Sequence, residues 1–200
     1  MPPFPAMSRR ERNKQDKLER IATAARELFA ERGFAEVTTQ HIADRADVGA
    51  GTVFLYAKNK GELLLLVQNA DYAQSLERGI AAADGVTDTV DAVMSLIRPI
   101  VECNRKQIEN GRAYQREVVF GDHDEPHHAQ ALALAVDTEA AITAVLAREG
   151  DTSGDPGRAA QAHIVTAIMF LAMALTTNVH RDIEDLLGEI RGQITVLLRR

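Results

Sequence analysis

The sequence predicts an all-α protein in which an N-terminal tri-helical unit precedes a larger helical bundle, with about nine helices in total. Apolar residues recur at intervals of three and four along most of the chain, which is the period of an amphipathic helix. Six prolines occur in 200 residues, and three of them fall in the first five positions, so signals that separate strands are scarce. A content of 46% hydrophobic and 26% charged residues favours a packed globular protein over a disordered chain.

The charge is distributed unevenly between the two parts of the chain. The net charge is −6, yet residues 1–68 hold 11 Lys or Arg against 9 Asp or Glu. Residues 69–200 hold 12 Lys or Arg against 20 Asp or Glu. Such a division indicates that the N-terminal part faces a polyanion, such as nucleic acid, whereas the remainder does not.

The sequence indicates a cytoplasmic protein without membrane contact. Its one cysteine, Cys103, leaves no disulfide to form within a chain. The chain does not open with a charged segment followed by an apolar run, so a signal peptide is not expected. The longest apolar stretch, residues 164–175, is shorter than the roughly 20 residues that a membrane-spanning helix needs.

The N-terminal part carries the signals of three consecutive helices. An apolar stripe over residues 18–29 predicts a long first helix, which Gly33 ends. A threonine cap precedes a short helix over residues 40–46, and Asp47 then allows the left-handed backbone of a tight turn. A second short helix is predicted over residues 50–57. Two short helices joined by a tight turn behind a longer helix predict a helix-turn-helix.

A run of short motifs extends through this N-terminal part. The motifs are Ile21-Ala-Thr-Ala-Ala-Arg-Glu-Leu-Phe29, Gly33-Phe34, Val37-Thr-Thr39, Ile42-Ala43, Ala46-Asp-Val48, Gly51-Thr-Val-Phe-Leu-Tyr56, Lys58-Asn-Lys60 and Leu63. Together they resemble the DNA-binding domain of the tetracycline-repressor (TetR) family, without a gap, over about a quarter of the chain. The segment departs from the family pattern at Asp47, where glycine is usual, and at Gly49, where serine commonly caps the recognition helix.

The resemblance implies a DNA-binding transcriptional regulator, a repressor that a small effector releases from its operator. It also implies a homodimer on pseudo-palindromic double-stranded DNA, because two half-sites need two recognition helices in one particle. The implied organisation is a flexible basic arm over residues 1–13, a DNA-binding domain over 14–76, and an effector-binding and dimerisation domain over 77–200. The helix-turn-helix itself occupies about residues 39–58. Two alternatives stay open, a helical DNA-binding protein without ligand sensing and an activator on the same fold.

The second short helix of the motif is the expected recognition helix. Its small first residues let the backbone approach the bases, and its hydroxyl and apolar side chains can contact base edges and thymine methyl groups. Val53 faces inward in this arrangement. Neighbouring polar residues are expected to contact phosphates, which fix the register without reading the sequence. The expected DNA-binding residues are Thr39, Gln40, Ala50, Gly51, Thr52, Phe54, Leu55, Tyr56 and Lys60.

The middle helices are expected to enclose the effector. Their facing positions are rich in Met, Ile and Val, which predicts a small, largely apolar molecule, and Arg98 and Glu117 can orient it. Met and aromatic residues at helical spacing are also the usual material of a packed core, so that interpretation stays open. The expected pocket residues are Met94, Ile97, Arg98, Val101, Tyr114, Glu117, Val118, Met169, Phe170 and Met173.

The last two helices, predicted over residues 158–179 and 182–199, each carry a continuous apolar stripe. Two such helices in series either complete the core of one subunit or meet their counterparts in a four-helix bundle between subunits. The resemblance implies the second arrangement. The expected interface residues are Ile164, Ile168, Leu171, Leu175, Leu187, Ile190 and Ile194.

The sequence does not predict an enzyme. It contains no glycine-rich phosphate loop, no nucleophile elbow and no cysteine with a suitable histidine partner. The segment Asp122-His-Asp-Glu-Pro-His-His128 has residue types that bind divalent cations, but it lacks cysteine and is typical of a solvated polar turn. Neither a metal nor a cofactor is therefore expected.

Overall fold

The computed structural model describes residues 8–148 and 156–199, and no β-strand occurs among them. The all-α fold class is thus confirmed. A 3₁₀ turn, Thr176–Asn178, precedes the last helix. The helices are α1 (Arg9–Glu36), α2 (Thr39–Arg45), α3 (Ala50–Val53), α4 (Lys60–Ala83), α5 (Thr89–Arg105), α6 (Ile108–Phe120), α7 (Pro126–Leu146), α8 (Pro156–Ala174) and α9 (Ile183–Leu198).

The helix-turn-helix forms where the local signals predict it. Ser8 caps α1, because its hydroxyl accepts a hydrogen bond from the Glu11 amide while the Glu11 carboxylate accepts one from the Ser8 amide. Gly33 interrupts α1 with a φ of 75°, a backbone angle that glycine adopts without steric cost. Asp47 forms the tight turn after α2 with a φ of 50°, as predicted.

Helical periodicity predicts one long helix over residues 87–110 and a short one over 111–120, but the structure divides the first of these segments between α5 and α6. The Gln107 side chain caps the new helix by accepting a hydrogen bond from the Asn110 amide at 2.7 Å. Because Gln107 itself has extended backbone angles, the chain changes direction there. As a result, α6 is longer than the helix predicted over residues 111–120.

The helix predicted over residues 158–179 ends earlier, at Ala174. The Asn178 side chain donates a hydrogen bond to the Ala172 carbonyl at 2.9 Å, and so satisfies a backbone group that the end of a helix leaves unpaired. The glycine-rich, polar composition of residues 150–157 predicts a flexible loop, and this segment lies largely outside the described residues.

Helix α4 is central to the fold and packs against α1, α5, α6 and α7. The successive residues Leu63, Leu64 and Leu65 are each at most 1% exposed, so other parts of the chain cover this helix on all sides here. The apolar core continues from Ile21 in α1, through α4, to Met169 in α8. The domain boundary predicted between residues 76 and 77 therefore falls within a helix that both units share.

Two helical segments, Pro126–Leu146 and Gly157–Ala174, are long and apolar enough to cross a membrane. In the structure these helices pack against each other, and α7 also packs against α4. Long apolar segments are also common in the helices of folded bundles, because an apolar surface has to be buried there as well. The two segments therefore have a place in the bundle that needs no membrane.

We expect the substitution Gly79→Ala to destabilise the fold by about 1–3 kcal/mol, since a methyl group at this position would meet the Leu96 carbonyl of α5. Helix propensity alone would give the opposite sign, a gain of up to about 1 kcal/mol. Urea unfolding measures the difference. Ala81→Gly, on the exposed side of the same helix, is the control and is expected to cost no more than about 1 kcal/mol. A Gly79→Ala protein with unchanged stability would contradict the close packing of α4 and α5.

Candidate nucleic-acid interface and ligand groove

The recognition segment is a short helix followed by tight turns rather than the longer helix predicted over residues 50–57. Helix α3 ends at Val53, and the Tyr56 amide then bonds the Val53 carbonyl at 2.9 Å. Val53 is fully buried and anchors the segment, whereas Phe54 and Leu55 are 52% and 79% exposed. With Val53 buried, the two large apolar side chains that follow it face solvent. Burial of apolar surface on folding does not account for their exposure.

The remaining expected DNA-binding residues surround these two side chains. Gly51 is exposed, and Ala50 and Thr52 are half-buried. At the start of α2, Thr39 is half-buried, and the exposed Gln40 donates a hydrogen bond to Asp44 at 2.7 Å. These polar groups face solvent at the entrance to the turn, so they are available to an external partner.

Tyr56 is held from two sides. Its hydroxyl donates a hydrogen bond to the Lys14 carbonyl of α1 at 3.0 Å. Its own carbonyl contacts the His127 Nε2 atom of α7 at 2.9 Å. The end of the recognition segment is therefore fixed both to the first helix and to the bundle.

A basic concavity of about 690 Å³ lies beside the recognition segment. The flexible arm predicted over residues 1–13 needs correction here, because residues 9–13 form the first turns of α1, while residues 1–7 lie outside the described residues. The spacing of Arg10, Lys14 and Lys17 places basic side chains on one helix face, and this signal was available in the sequence. The concavity is lined by Arg9, Arg10, Asn13, Lys14, Lys17, Leu55 and Tyr56.

The charges in this region are unfavourable for the helix by itself. Arg9 and Arg10 open α1, where the helix dipole disfavours cations, and Glu11 is the acidic residue in this first turn. Each misplaced charge costs about 0.3–1 kcal/mol. An external anion, such as a phosphate group, would offset this cost.

Lys60 differs from the expected phosphate contact. Its ammonium group donates hydrogen bonds to the Phe34 and Ala35 carbonyls at 2.8 and 3.3 Å, and lies 4.3 Å from the centre of the Phe34 ring. These carbonyls belong to the end of α1, where a cation is favoured. Lys60 therefore holds the first helix against the fourth.

Helix α6 also contacts the end of α1. The Glu109 carboxylate accepts a hydrogen bond from the Ala35 amide at 2.5 Å, and the Asn110 side chain donates one to the Phe29 carbonyl at 2.8 Å. A methyl group on Gly33 would collide with Glu109, so this glycine also permits the close approach of the two helices. We call these contacts of Glu109 and Asn110 with α1 the α1–α6 joint.

Helix α7 and the polar segment directly before it make a second connection to the N-terminal unit. Lys58 forms ion pairs with Asp122 and Glu125, at 3.3 and 2.8 Å. The Glu62 carboxylate accepts a hydrogen bond from the His127 amide at 3.2 Å, and burial raises the pKa of this carboxyl above its usual value. Within the described residues no group of three potential metal ligands converges, and the polar segment before α7 instead connects the two units.

Most of the expected pocket residues form a packed interior. Tyr114 donates a hydrogen bond from its hydroxyl to Asn69 at 3.0 Å and stacks on Tyr72, whose pKa burial raises to about 12. Tyr114 also borders a cavity of about 130 Å³ between α1, α4, α5 and α6, which is smaller than the roughly 300 Å³ at which ligand sites usually begin. The buried members of the set are Met94, Ile97, Val101, Tyr114, Val118, Met169 and Met173.

The two charged members of the expected pocket lie elsewhere. Arg98 forms a surface ion pair with Glu184 at 2.6 Å, which holds α5 against α9. Glu117 is half-buried beside Gly61, at the start of α4. Glu184 thus holds Arg98 at the surface, and Arg116 pairs with Glu117 at 3.4 Å.

A separate groove of about 730 Å³ lies between the end of α1, α6 and α8. Phe170 belongs to its lining, so one expected pocket residue is retained there. The buried Gln115 side chain also lines the groove, and neither its amide nitrogen nor its amide oxygen has a hydrogen-bond partner among the described residues. The lining is Phe34, Ala35, Glu109, Arg112, Ala113, Gln115, Arg116, Val119, Phe120, Ala167, Phe170, Leu171 and Ala174.

The expected dimer interface is divided between surface and core. Ile164 and Leu171 of α8, and Leu175 directly after it, are 43%, 59% and 41% exposed, and Ile168 is half-buried. In contrast, α9 packs against α5 and α8 and so buries its apolar stripe within the subunit. The α9 residues are therefore corrected from interface to core, namely Leu187, Ile190 and Ile194.

The N-terminal part of the chain matches a known family. The model of the family described as bacterial regulatory proteins, tetR family, matches residues 21–67. A fatty acid metabolism regulator protein of Bacillus subtilis (strain 168) is 36% identical over 67 residues, which cover 34% of this chain and 34% of that protein. The chain thus matches about a third of the length of this curated relative.

Solved structures match over almost the whole chain. FadR from Thermus thermophilus, a repressor crystallised with lauroyl-CoA, has a TM-score of 0.71 at 24% identity, covering 92% of this chain and 95% of that chain. FadR from Bacillus subtilis, in complex with stearoyl-CoA, has a TM-score of 0.66 at 17% identity, covering 90% and 97%. These likenesses establish a shared fold. Residues 21–67 thus match the DNA-binding domain of the tetR family of bacterial regulatory proteins, and the described chain shares the fold of the two FadR structures.

Proposed function

We propose that the protein is a dimeric transcriptional repressor that binds operator DNA in the cytoplasm and is released from it by a small, largely apolar effector. The observation that carries this proposal is the exposed recognition segment directly beside the basic concavity. One surface thereby offers apolar and hydroxyl groups for base edges together with cations for the flanking phosphates. No enzymatic role is needed, since the family consists of regulators.

The recognition segment is suited to a major groove. Phe54 and Leu55 can contact thymine methyl groups, and Thr52 can hydrogen-bond a base edge. Gly51, without a side chain, allows the backbone to approach. Cations at the start of α1 neutralise phosphates next to the reading segment, which supplies affinity that is independent of sequence.

A dimer is supported by the exposed apolar face of α8. Ile164, Leu171 and Leu175 follow one another at helical spacing and remain exposed in one subunit. A contiguous apolar patch of this kind is characteristic of a protein–protein contact. Two subunits joined here would present two recognition segments to half-sites about 34–36 Å apart.

A fatty-acyl effector is supported by the comparisons. The curated relative is a regulator of fatty acid metabolism, and the two FadR structures contain acyl-CoA molecules. An effector can lower operator affinity only if it binds the DNA-competent and DNA-incompetent shapes with different free energies. The contacts that join the bundle to α1 and to Tyr56 can transmit a change of shape from the bundle to the recognition segment.

The paired substitution Lys14→Gln with Lys17→Gln is expected to weaken binding to a random-sequence duplex. The slope of log K against log salt should fall by about 0.9 for each phosphate that is no longer neutralised, hence by nearly 2. Fluorescence anisotropy at several salt concentrations measures it. Lys106→Gln, an exposed lysine distant from the concavity, serves as the control and should leave the slope unaltered. An equal slope for the paired variant and the unaltered protein would remove the phosphate role from α1.

The substitution Lys60→Met is expected to reduce the free energy of unfolding by about 1–3 kcal/mol, because the Phe34 and Ala35 carbonyls lose their donor. The salt dependence of DNA binding should stay as it is. Lys58→Met is the matched control, and the loss of its exposed ion pairs should leave the free energy of unfolding almost unchanged. If Lys60→Met were fully stable but had a smaller salt slope, Lys60 would contact phosphate after all.

The paired substitution Ile164→Glu with Leu175→Glu is expected to give a folded monomer, because two charges would have to be buried in the proposed interface. Sedimentation velocity measures the mass, and circular dichroism confirms the helices. The control is Val136→Glu, which places a charge on an exposed apolar position of α7 and should leave the dimer intact. A stable dimer of the paired variant would place the interface on another surface.

A further inference from the structure

We infer that the groove between α1, α6 and α8 is the effector site, and that its ligand is an amphiphile with an apolar chain, a neutral hydrogen-bonding group and an anionic end. This inference rests on the proposed function and deepens it. The groove's volume of about 730 Å³ falls within the range of about 300–1,000 Å³ that is usual for small-molecule sites. The cavity of about 130 Å³ beside Tyr114 falls below that range.

Gln115 indicates that the ligand carries a neutral hydrogen-bonding group. This side chain is 3% exposed, and both ends of its amide lack a partner within the described part of the chain. Buried amide groups are almost always hydrogen-bonded, because leaving one unpaired costs free energy. A ligand that provides an acceptor for the nitrogen or a donor for the oxygen, such as an amide or a hydroxyl, would satisfy it.

The apolar chain follows from the walls of the groove. Val119 and Phe120 are 60% and 82% exposed, so large apolar side chains of α6 lie open to water around it. Phe170 continues the apolar lining. An acyl chain laid along these residues would remove apolar surface from water on both sides of the contact.

The anionic end follows from the charges of the groove. Arg112 and Arg116 line it together with a single carboxylate, that of Glu109. Glu109 is already engaged with the Ala35 amide in the α1–α6 joint. The exposed Arg116 guanidinium lies 5.5 Å from the centre of the Phe34 ring and pairs with the Glu117 carboxylate at 3.4 Å, and its other N–H groups can bind a carboxylate or phosphate.

The position of the groove gives the ligand access to both units. Phe34 and Ala35 at the end of α1 belong to the same lining as the α6 residues of the bundle. The same two residues are held by Lys60 and Glu109. A bound amphiphile would therefore touch the segment that positions the helix-turn-helix, without a relay through the core.

Calorimetric titration of the full chain with lauroyl-CoA tests the assignment, with laurate and free CoA as separate probes. Ala167→Trp fills the groove and is expected to weaken lauroyl-CoA binding at least about 30-fold, as the tryptophan occupies the space of the chain. Ala160→Trp, exposed on the same helix outside the groove, should stay within about twofold of the unaltered protein. Laurate and CoA should each bind at least about tenfold more weakly than the joined molecule.

The substitution Gln115→Leu tests whether the Gln115 side chain contacts the ligand or has only a structural role. We expect about tenfold weaker lauroyl-CoA binding, the effect of one missing hydrogen bond, together with an unchanged or higher melting temperature. A structural glutamine would instead lower the melting temperature when replaced. If both the tryptophan variant and Gln115→Leu bind like the unaltered protein, the groove is not the site.

Operator binding measured on the same preparations distinguishes failure of the proposed ligand class from failure of the proposed function. If the unaltered protein binds neither lauroyl-CoA nor laurate but retains DNA binding, the ligand class is wrong while the regulator stands. If DNA binding is also missing, the proposed function fails. If Ala167→Trp is monomeric and Ala160→Trp is dimeric, the groove is covered by a second subunit, which overturns its assignment to a small molecule.

Discussion

Leu63, Leu64 and Leu65 follow one another in α4, and all three side chains are buried. A helix can bury three successive residues only when other helices surround it, since their side chains point in different directions around the axis. Helix α1 supplies the cover on one side, and α5, α6 and α7 supply it on others. The positions of these four helices depend directly on the shared burial, which makes one core of the N-terminal unit and the bundle.

Polar contacts complete this arrangement where the two units meet. Glu109 and Asn110 satisfy backbone groups of α1, and Lys60 satisfies the carbonyls at its end. Such groups need partners wherever water is excluded, so the contacts define one relative position of the helices. A molecule that changes the geometry of α6 would act on the N-terminal unit through these same bonds.

The sequence pattern predicts a ligand site in the interior of the bundle. In the structure the interior is packed, and the groove lies at the surface. Met169 and Ile97 are completely buried, in keeping with a packed core, whereas the groove that can hold a molecule lies between the end of α1, α6 and α8. Gln115 is a buried amide without a partner among the described residues. Such a group lowers the stability of the fold, so a glutamine with only a structural role is expected to have a partner. The groove thus has a polar feature that packing does not explain.

The sequence alone determined the all-α class and the helix-turn-helix, because the signals for both are local. Gly33 interrupts α1 where the end of the first helix is predicted, although the helix continues to Glu36. Asp47 has the left-handed backbone predicted for it, and Val53 is buried as its place in the motif predicts. Such features depend on residues a few positions apart, and the printed sequence contains them completely. The motifs that resemble the TetR family belong to the same local class.

Only the tertiary structure decided which apolar residues face the core, the groove or the surface. Ile164 and Ile190 belong to similar stripes, yet the first is exposed and the second is buried, because α5 and α8 cover α9 while one side of α8 stays open. Likewise, the helical spacing of Lys60 gave no sign that two carbonyls of α1 would engage its ammonium group. Periodicity fixes the face on which a residue lies, but the identity of the neighbour on that face depends on contacts between residues distant in the chain.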